Sequence, residues 1–199
     1  MQNIFLLIHI IFAVIMVLNL IFVLQKSYKI NRENNDIRQF AKWYEIALTD
    51  DLTKIHNREA YRRYIELLES KSKKSRTVYG IVLFDIDDFK KINDTSGHLT
   101  GDKVLQNVAL MLSEVFSAVN YSVYRIGGDE FAVITERASE NQIIDLLLEI
   151  RRREEAGGTV RLSKGYAMVC SGESFEEAYS KADEMLYADK LSKKLAEHY

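Results

Sequence analysis

Residues 78–84, Val-Tyr-Gly-Ile-Val-Leu-Phe, are apolar at almost every position and run straight into Asp85-Ile86-Asp87-Asp88. A strand with one wet face alternates apolar and polar side chains, whereas an unbroken run bearing Val and Ile needs cover on both faces. The chain is therefore expected to build a sheet around this strand with helices packed on it, an α+β arrangement. Neighbouring periodicities agree. Residues 58–70 read as a helix with Tyr61, Tyr64, Ile65 and Leu68 on one face, and Val104, Leu105, Val108, Met111, Leu112 and Val115 form a second helical stripe. Residues 121–126 and 131–135 read as strands flanking Gly127-Gly128, a hairpin signature. Ser139-x-x-Gln142 is a capping box opening a helix with Ile143, Ile144, Leu147 and Ile150, residues 159–169 read as another strand, and Ser174-x-x-Glu177 caps a last helix through Ala196.

The first 25 residues are a different object. They carry no Asp, Glu, Lys or Arg, so all 27 basic and all 29 acidic residues fall after Gln25. Residues 4–24 are apolar at 19 of 21 positions, His9 and Asn19 being the exceptions. At 1.5 Å per residue this is about 31 Å of helix, the thickness of a bilayer core. A cleaved signal peptide would want a basic start, a shorter apolar run and a small-residue cleavage site, and the sequence supplies none of them. A transmembrane helix is therefore expected over residues 1–25. Lys26, Lys29 and Arg32 follow it directly, which by the positive-inside rule puts the rest of the chain in the cytoplasm, with no sensor domain on the far side.

From Gln25 to Thr49 there is no Gly or Pro, and Ile30, Ile37 and Tyr44 recur every seven residues, with Ala41 and Leu48 as a second seam that also holds Asn34. The pattern is that of a parallel two-stranded stalk over residues 26–49, with a solvated helical spacer as the alternative.

Composition removes several functions. A formal charge of −2 gives no electrostatic footprint for a nucleic-acid polymer, which requires clustered Lys and Arg. The single Cys170 excludes an intramolecular disulfide and a Cys-based zinc site. With no Pro and only nine Gly, nearly everything after residue 49 is expected in a packed element.

The chemistry concentrates at two turns. At the first, a buried strand runs out into Asp85, Asp87 and Asp88, followed by Lys90. At the second, Arg125-Ile126-Gly127-Gly128-Asp129-Glu130-Phe131, the glycines let the backbone turn tightly and leave room for a large group against it. If the two strands are neighbours, Asp85 and Asp129 converge, and two hard oxygen ligands suit Mg²⁺ held together with substrate phosphates. Between the turns lies Asn93-Asp94-Thr95-Ser96-Gly97-His98-Leu99-Thr100-Gly101-Asp102, read as a polar loop into the Val104 helix. Asn93 and Asp102 there offer an amide and a carboxylate to a base edge. The bland alternative for these acids is a set of solvated turns.

Taken together, these residues resemble the GGDEF family of diguanylate cyclases over about residues 50–194. The resemblance rests on Asp50-x-Leu52-Thr53-x-x-x-Asn57-Arg58, on Asp85-Ile86-Asp87-x-Phe89-Lys90-x-Ile92-Asn93-Asp94-x-x-Gly97-His98-x-x-Gly101-Asp102, on Arg125-x-Gly127-Gly128-Asp129-Glu130-Phe131, on Ser163-x-Gly165-x-Ala167, and on Ala182-Asp183-x-x-Leu186-Tyr187-x-x-Lys190. It implies a nucleotidyl-cyclase or polymerase-palm-like (ferredoxin-like) sheet flanked by helices in a domain over residues 50–199, and the condensation of two GTP into cyclic di-GMP with release of two pyrophosphates. By position, Asp85, the Ile86 carbonyl and Asp129 would hold Mg²⁺ or Mn²⁺. Asn93, His98 and Asp102 would contact the nucleotide, with Asn93 and Asp102 reading guanine, and Lys90 and Lys190 would neutralise the triphosphate. Asp129 would accept the 3′-OH proton, with Glu130 beside it.

Each domain would supply half an active site, so the resemblance implies a homodimer, tethered by the first helix to a bacterial cytoplasmic membrane. A catalytically silent binding or scaffold module is the rival from another class, and degenerate signatures mark those, whereas this one is intact. Two departures stand out. Lys54 and His56 stand where the family commonly has Gly and Pro. Ala118 and Tyr121 replace the Arg and Asp of the family's product-inhibition site, so no strong feedback through that site is expected.

Overall fold

In a computed structural model the backbone is described for residues 2–72, 79–157, 160–169 and 173–196, and side chains are described for these except 2–15, 17, 18, 34, 71, 72 and 120. The chain divides into two units, residues 1–47 and residues 48–199.

The first unit is one helix, α1 (Gln2–Ala47). Among the described residues no helix is long and apolar enough to cross a membrane. This overturns the expected single-pass placement in a cytoplasmic membrane. A span needs about 20 consecutive apolar residues. Among the described side chains of α1 the apolar run ends at Leu24, and Gln25, Lys26, Lys29 and Arg32 follow it. His9, and the Asn34 of the expected stalk seam, have side chains outside the described residues. Ile30, Ile37 and Tyr44 are exposed on α1.

The second unit contains α2 (Arg58–Ser72), β1 (Tyr79–Ile86), α3 (Phe89–Ser96), α4 (His98–Phe116), β2 (Asn120–Arg125), β3 (Glu130–Glu136), α5 (Glu140–Gly157), β4 (Leu162–Val169) and α6 (Phe175–Ala196). Its sheet runs β2-β3-β1-β4, with every pairing antiparallel. This is the expected α+β, palm-like arrangement. β1 lies in the middle and is buried along its whole length, as an uninterrupted apolar strand requires.

Side chains alternate across a strand. Val82, Phe84 and Ile86 accordingly meet Leu105, Leu112 and Phe116 of α4 and Ile143 and Ile150 of α5. Ile81 and Leu83 face the other way, onto Ala60 and Leu68 of α2 and Phe175, Ala178 and Ala182 of α6. Each large apolar side chain buried in these layers contributes about 1.5–3 kcal/mol of transfer free energy.

Both capping boxes form. Gln142 N–H donates to Ser139 Oγ at 3.3 Å while Ser139 N–H donates to Gln142 Oε1 at 2.9 Å. The same reciprocal pair joins Ser174 and Glu177 ahead of α6. The α6 backbone comes so close to β4 that a β-carbon at Gly165 would stand 2.0 Å from the Ala182 carbonyl oxygen.

Two boundaries differ from the sequence reading. The polar loop expected over residues 93–102 is instead the end of the helix α3 and the start of α4, with a single residue, Gly97 at φ 81°, between them. Phe89 and Ile92 explain the helix, since they lie one turn apart and pack on the core. β4 begins at Leu162 rather than residue 159, which lies outside the described residues, as do Val78 and Cys170.

Candidate active site at the end of the sheet

β1 and β3 are neighbours, as convergence of the two acidic turns demands. Asp85 is in register with Glu130 on β3 and with Ser163 on β4, and the Ile86 N–H donates to the Asp129 carbonyl at 3.2 Å. Asp85 is 7% exposed. It accepts a hydrogen bond from Lys190 Nζ at 2.7 Å. Burial opposes the Lys190 charge, but the hydrogen bond and the charges of Asp85, Asp129 and Asp87 outweigh it and raise its pKa. Burial pushes the Asp129 carboxyl up, and the Asp85 charge pushes it further, against the opposing pull of Lys190 and Arg125. Two carboxylates that repel each other at the mouth of a cavity are a donor set short of positive charge.

That cavity, of about 220 Å³, is lined by Asp85, Ile86, Asp129, Lys90 and Lys190, together with Phe89 at the start of α3. Glu130 is not among its described lining residues. Adjacent residues on a strand face opposite sides of the sheet, and Glu130 folds over Gly127, where a β-carbon would stand 2.2 Å from its Oε2. A β-carbon on Gly128 would meet nothing within 4 Å, so this glycine is open to a ligand.

Asn93, His98 and Asp102 form a second corner, on α3 and α4. A β-carbon at Gly101 would come within 2.0 Å of Asn93 Oδ1 and 3.3 Å of the Phe89 ring, so Asn93 sits directly on the glycine that precedes Asp102. His98 is exposed at the first position of α4. Phe89 joins the corners, lining the carboxylate cavity and packing beside Gly101.

Three cations lining the same cavity were not singled out in the sequence: Arg161, Lys193 and Lys194. Lys193 Nζ donates to Asp87 Oδ2 at 3.0 Å and to the Leu162 carbonyl at 2.6 Å, and pairs with Asp189 at 3.0 Å. A helical signal for the two lysines exists, because Lys190, Lys193 and Lys194 at i, i+3 and i+4 share a face. Arg161 has none, since only the β1–β4 register brings it to Asp87, whose N–H donates to the Arg161 carbonyl at 2.9 Å.

Arg125 braces the second turn. Its Nη2 donates to the Gly128 carbonyl at 2.8 Å, and its Nη1 to Asp50 Oδ1 at 3.1 Å. Burial raises the Asp50 pKa, but the hydrogen bonds from Thr53 and Arg125 more than reverse this and hold it low. In the same segment Lys54 adopts φ 61°, the left-handed conformation that explains why the family commonly has Gly there.

Comparison with known proteins agrees with this geometry. The family model described as "Diguanylate cyclase, GGDEF domain" matches residues 47–195. Diguanylate cyclase DgcN of Escherichia coli K12 is 37% identical over 161 residues, covering 75% of this chain and 38% of its own. Diguanylate cyclase VdcA of Vibrio cholerae is 30% identical over 163 residues, covering 76% of this chain and 47% of its own. The chain spans about a third of the length of several such curated relatives, 34% for diguanylate cyclase DosC of Escherichia coli K12. Among solved structures, the coiled coil and GGDEF domain of DgcB from Caulobacter crescentus, in complex with c-di-GMP, is 28% identical with a TM-score of 0.73, covering 85% of this chain and 93% of that one. The GGDEF domain of DgcB alone, also with c-di-GMP, is 32% identical with a TM-score of 0.68, covering 73% and 91%. With its sheet order, its two acidic turns and a family model matched from residue 47 to residue 195, this chain belongs to the GGDEF family of diguanylate cyclases.

Proposed function

We propose that this chain is a diguanylate cyclase, joining two GTP molecules into cyclic di-GMP and releasing two pyrophosphates, and that it works as a homodimer. The observation that carries the reading is the convergence of Asp85 and Asp129 at one cavity end of the sheet, with Lys190 hydrogen-bonded to Asp85. The relatives named above are cyclases by description and the DgcB structures hold the product, which supports the same reading.

In each new linkage the 3′-oxygen of one nucleotide bonds to the α-phosphorus of the other, and the bond from that phosphorus to the bridging oxygen of pyrophosphate breaks. The 3′-OH proton leaves to a base, for which Asp129 is the candidate in the cavity. Glu130, folded over Gly127, is the weaker one. Asp85, the Ile86 carbonyl and Asp129 fit a divalent cation of the Mg²⁺ or Mn²⁺ kind, because carboxylate and carbonyl oxygens are the hard ligands such ions take. When bound, that ion supplies charge compensation on the triphosphate. Lys90 and Lys190 add cationic hydrogen-bond donors where negative charge grows in the transition state. Asn93 and Asp102 hold the guanine, with His98 near it.

Two such domains must face each other with two-fold symmetry, because each nucleotide is nucleophile and electrophile in turn. The exposed Ile30, Ile37 and Tyr44 of α1 are the proposed seam of a stalk that holds two copies together. The segment at residues 118–121, with Ala118 and Tyr121, is proposed to give no strong product inhibition. Purified full-length protein incubated with GTP and Mg²⁺ is expected to yield cyclic di-GMP and pyrophosphate, resolved chromatographically. Their absence from a preparation shown to be dimeric would overturn the reading.

A further inference from the structure

Resting on the nucleotide reading above, we propose that Arg161 is a further substrate-contacting residue of this chain, holding the terminal phosphates of the bound triphosphate and then the departing pyrophosphate. Arg161 lines the same cavity as Asp85, Asp129 and Lys190 and also the adjoining cleft of about 940 Å³ between α3, α5 and α6. It therefore stands on the rim through which the far end of a triphosphate would extend.

Two of the other cations at this rim are engaged. Lys190 is hydrogen-bonded to Asp85, and Lys193 is held by Asp87, Asp189 and the Leu162 carbonyl. Among the described residues, the exposed Arg161 forms no ion pair, so its guanidinium reaches an incoming anion without first breaking one. Its position is nonetheless fixed, because its carbonyl accepts the Asp87 N–H at 2.9 Å beside β1. A planar guanidinium pairs with phosphate oxygens through two parallel hydrogen bonds, a geometry the lysines here cannot supply.

The backbone bond is independent of the side chain, so Arg161→Gln keeps the fold that positions it. The test measures binding to full-length wild type, R161Q and R161K of three probes: a GTP analogue with a non-cleavable α,β bond, inorganic pyrophosphate, and GMP. The expected result is a loss of about tenfold for the triphosphate analogue and for pyrophosphate in R161Q, GMP binding unchanged, and partial recovery in R161K, the size of one charge-assisted hydrogen bond. Unchanged triphosphate binding in R161Q overturns this inference alone, as does an equal loss for GMP. A wild-type protein that binds no triphosphate overturns the nucleotide reading together with it.

Discussion

The two corners of the site are organised by different forces. At the carboxylate corner the groups come from β1, the β2–β3 turn, β4 and α6, and they are fixed by charge: Lys190 on Asp85, Lys193 on Asp87 and Asp189, Arg125 across the turn to Asp50. At the Asn93–Asp102 corner the groups come from two consecutive helices and are fixed by shape, Asn93 resting on the bare α-carbon of Gly101. An electrostatically held corner responds to charge changes and pH. A sterically held one responds to a single methyl group. The difference suits their proposed tasks, since phosphates and metal ions are recognised by charge and a base edge by position.

The largest effect that would sharpen this contrast is expected from Asp129→Asn. Loss of the charged ligand proposed above, worth several kcal/mol of transition-state stabilisation, should lower kcat about 10³-fold. The same change should raise stability at neutral pH. Asp129 has a raised pKa when folded, so its charged form costs stability above that value and the cost is relieved as pH falls through it. The stability gap between variant and wild type should therefore close on acidification in thermal melts, and a gap constant with pH would break the electrostatic account.

Gly165→Ala should cost about 1–3 kcal/mol of stability, because its β-carbon would meet the Ala182 carbonyl and the Leu186 amide, which are backbone and cannot step aside. Gly101→Ala is the informative partner. It meets side chains and no backbone, the end of Asn93 and, at 3.3 Å, the Phe89 ring, so melting should fall less than for Gly165→Ala while nucleotide affinity falls about tenfold, the loss of roughly one hydrogen bond. Equal stability losses for the two glycine variants would erase the distinction between corners.

Lys190→Met removes a charge that lowers the Asp129 pKa. The acid limb of kcat/KM should therefore move to higher pH, and a limb that stays in place would detach Lys190 from Asp129. The smallest effect is expected away from both corners. Lys54→Gly should relieve the left-handed strain at φ 61° and stabilise the domain by about 1 kcal/mol, with kcat unchanged.

Much of this was legible in the sequence because it depends on local rules. A strand without polar interruptions had to be central, Gly127-Gly128 had to turn, and Ser139 and Ser174 had to cap helices. The acids at the strand ends were legible for the same reason. The helix α3 was not, because Lys90, Lys91, Asn93 and Asp94 bury the Phe89 and Ile92 spacing in polar residues. Arg161 was invisible because its place is set by a strand pairing dozens of residues away, and pairing register leaves no trace in composition. The membrane span failed in another way: a run of apolar letters was read as a crossing, and the described residues contain no helix long and apolar enough to make one.

The sheet order has a consequence for how the molecule comes into being. β1 is made early but its partners β3 and β4 come much later, and Lys190 reaches Asp85 across 105 positions of chain. Antiparallel pairings of this separation close slowly, since the loop entropy is lost before the contacts form. A nascent chain that stops short of α6 thus leaves one face of its most apolar strand only partly covered, by α2, and is prone to association before it has any site to offer. The cavity is the last part of the domain to exist, so nucleotide binding reports on completed folding.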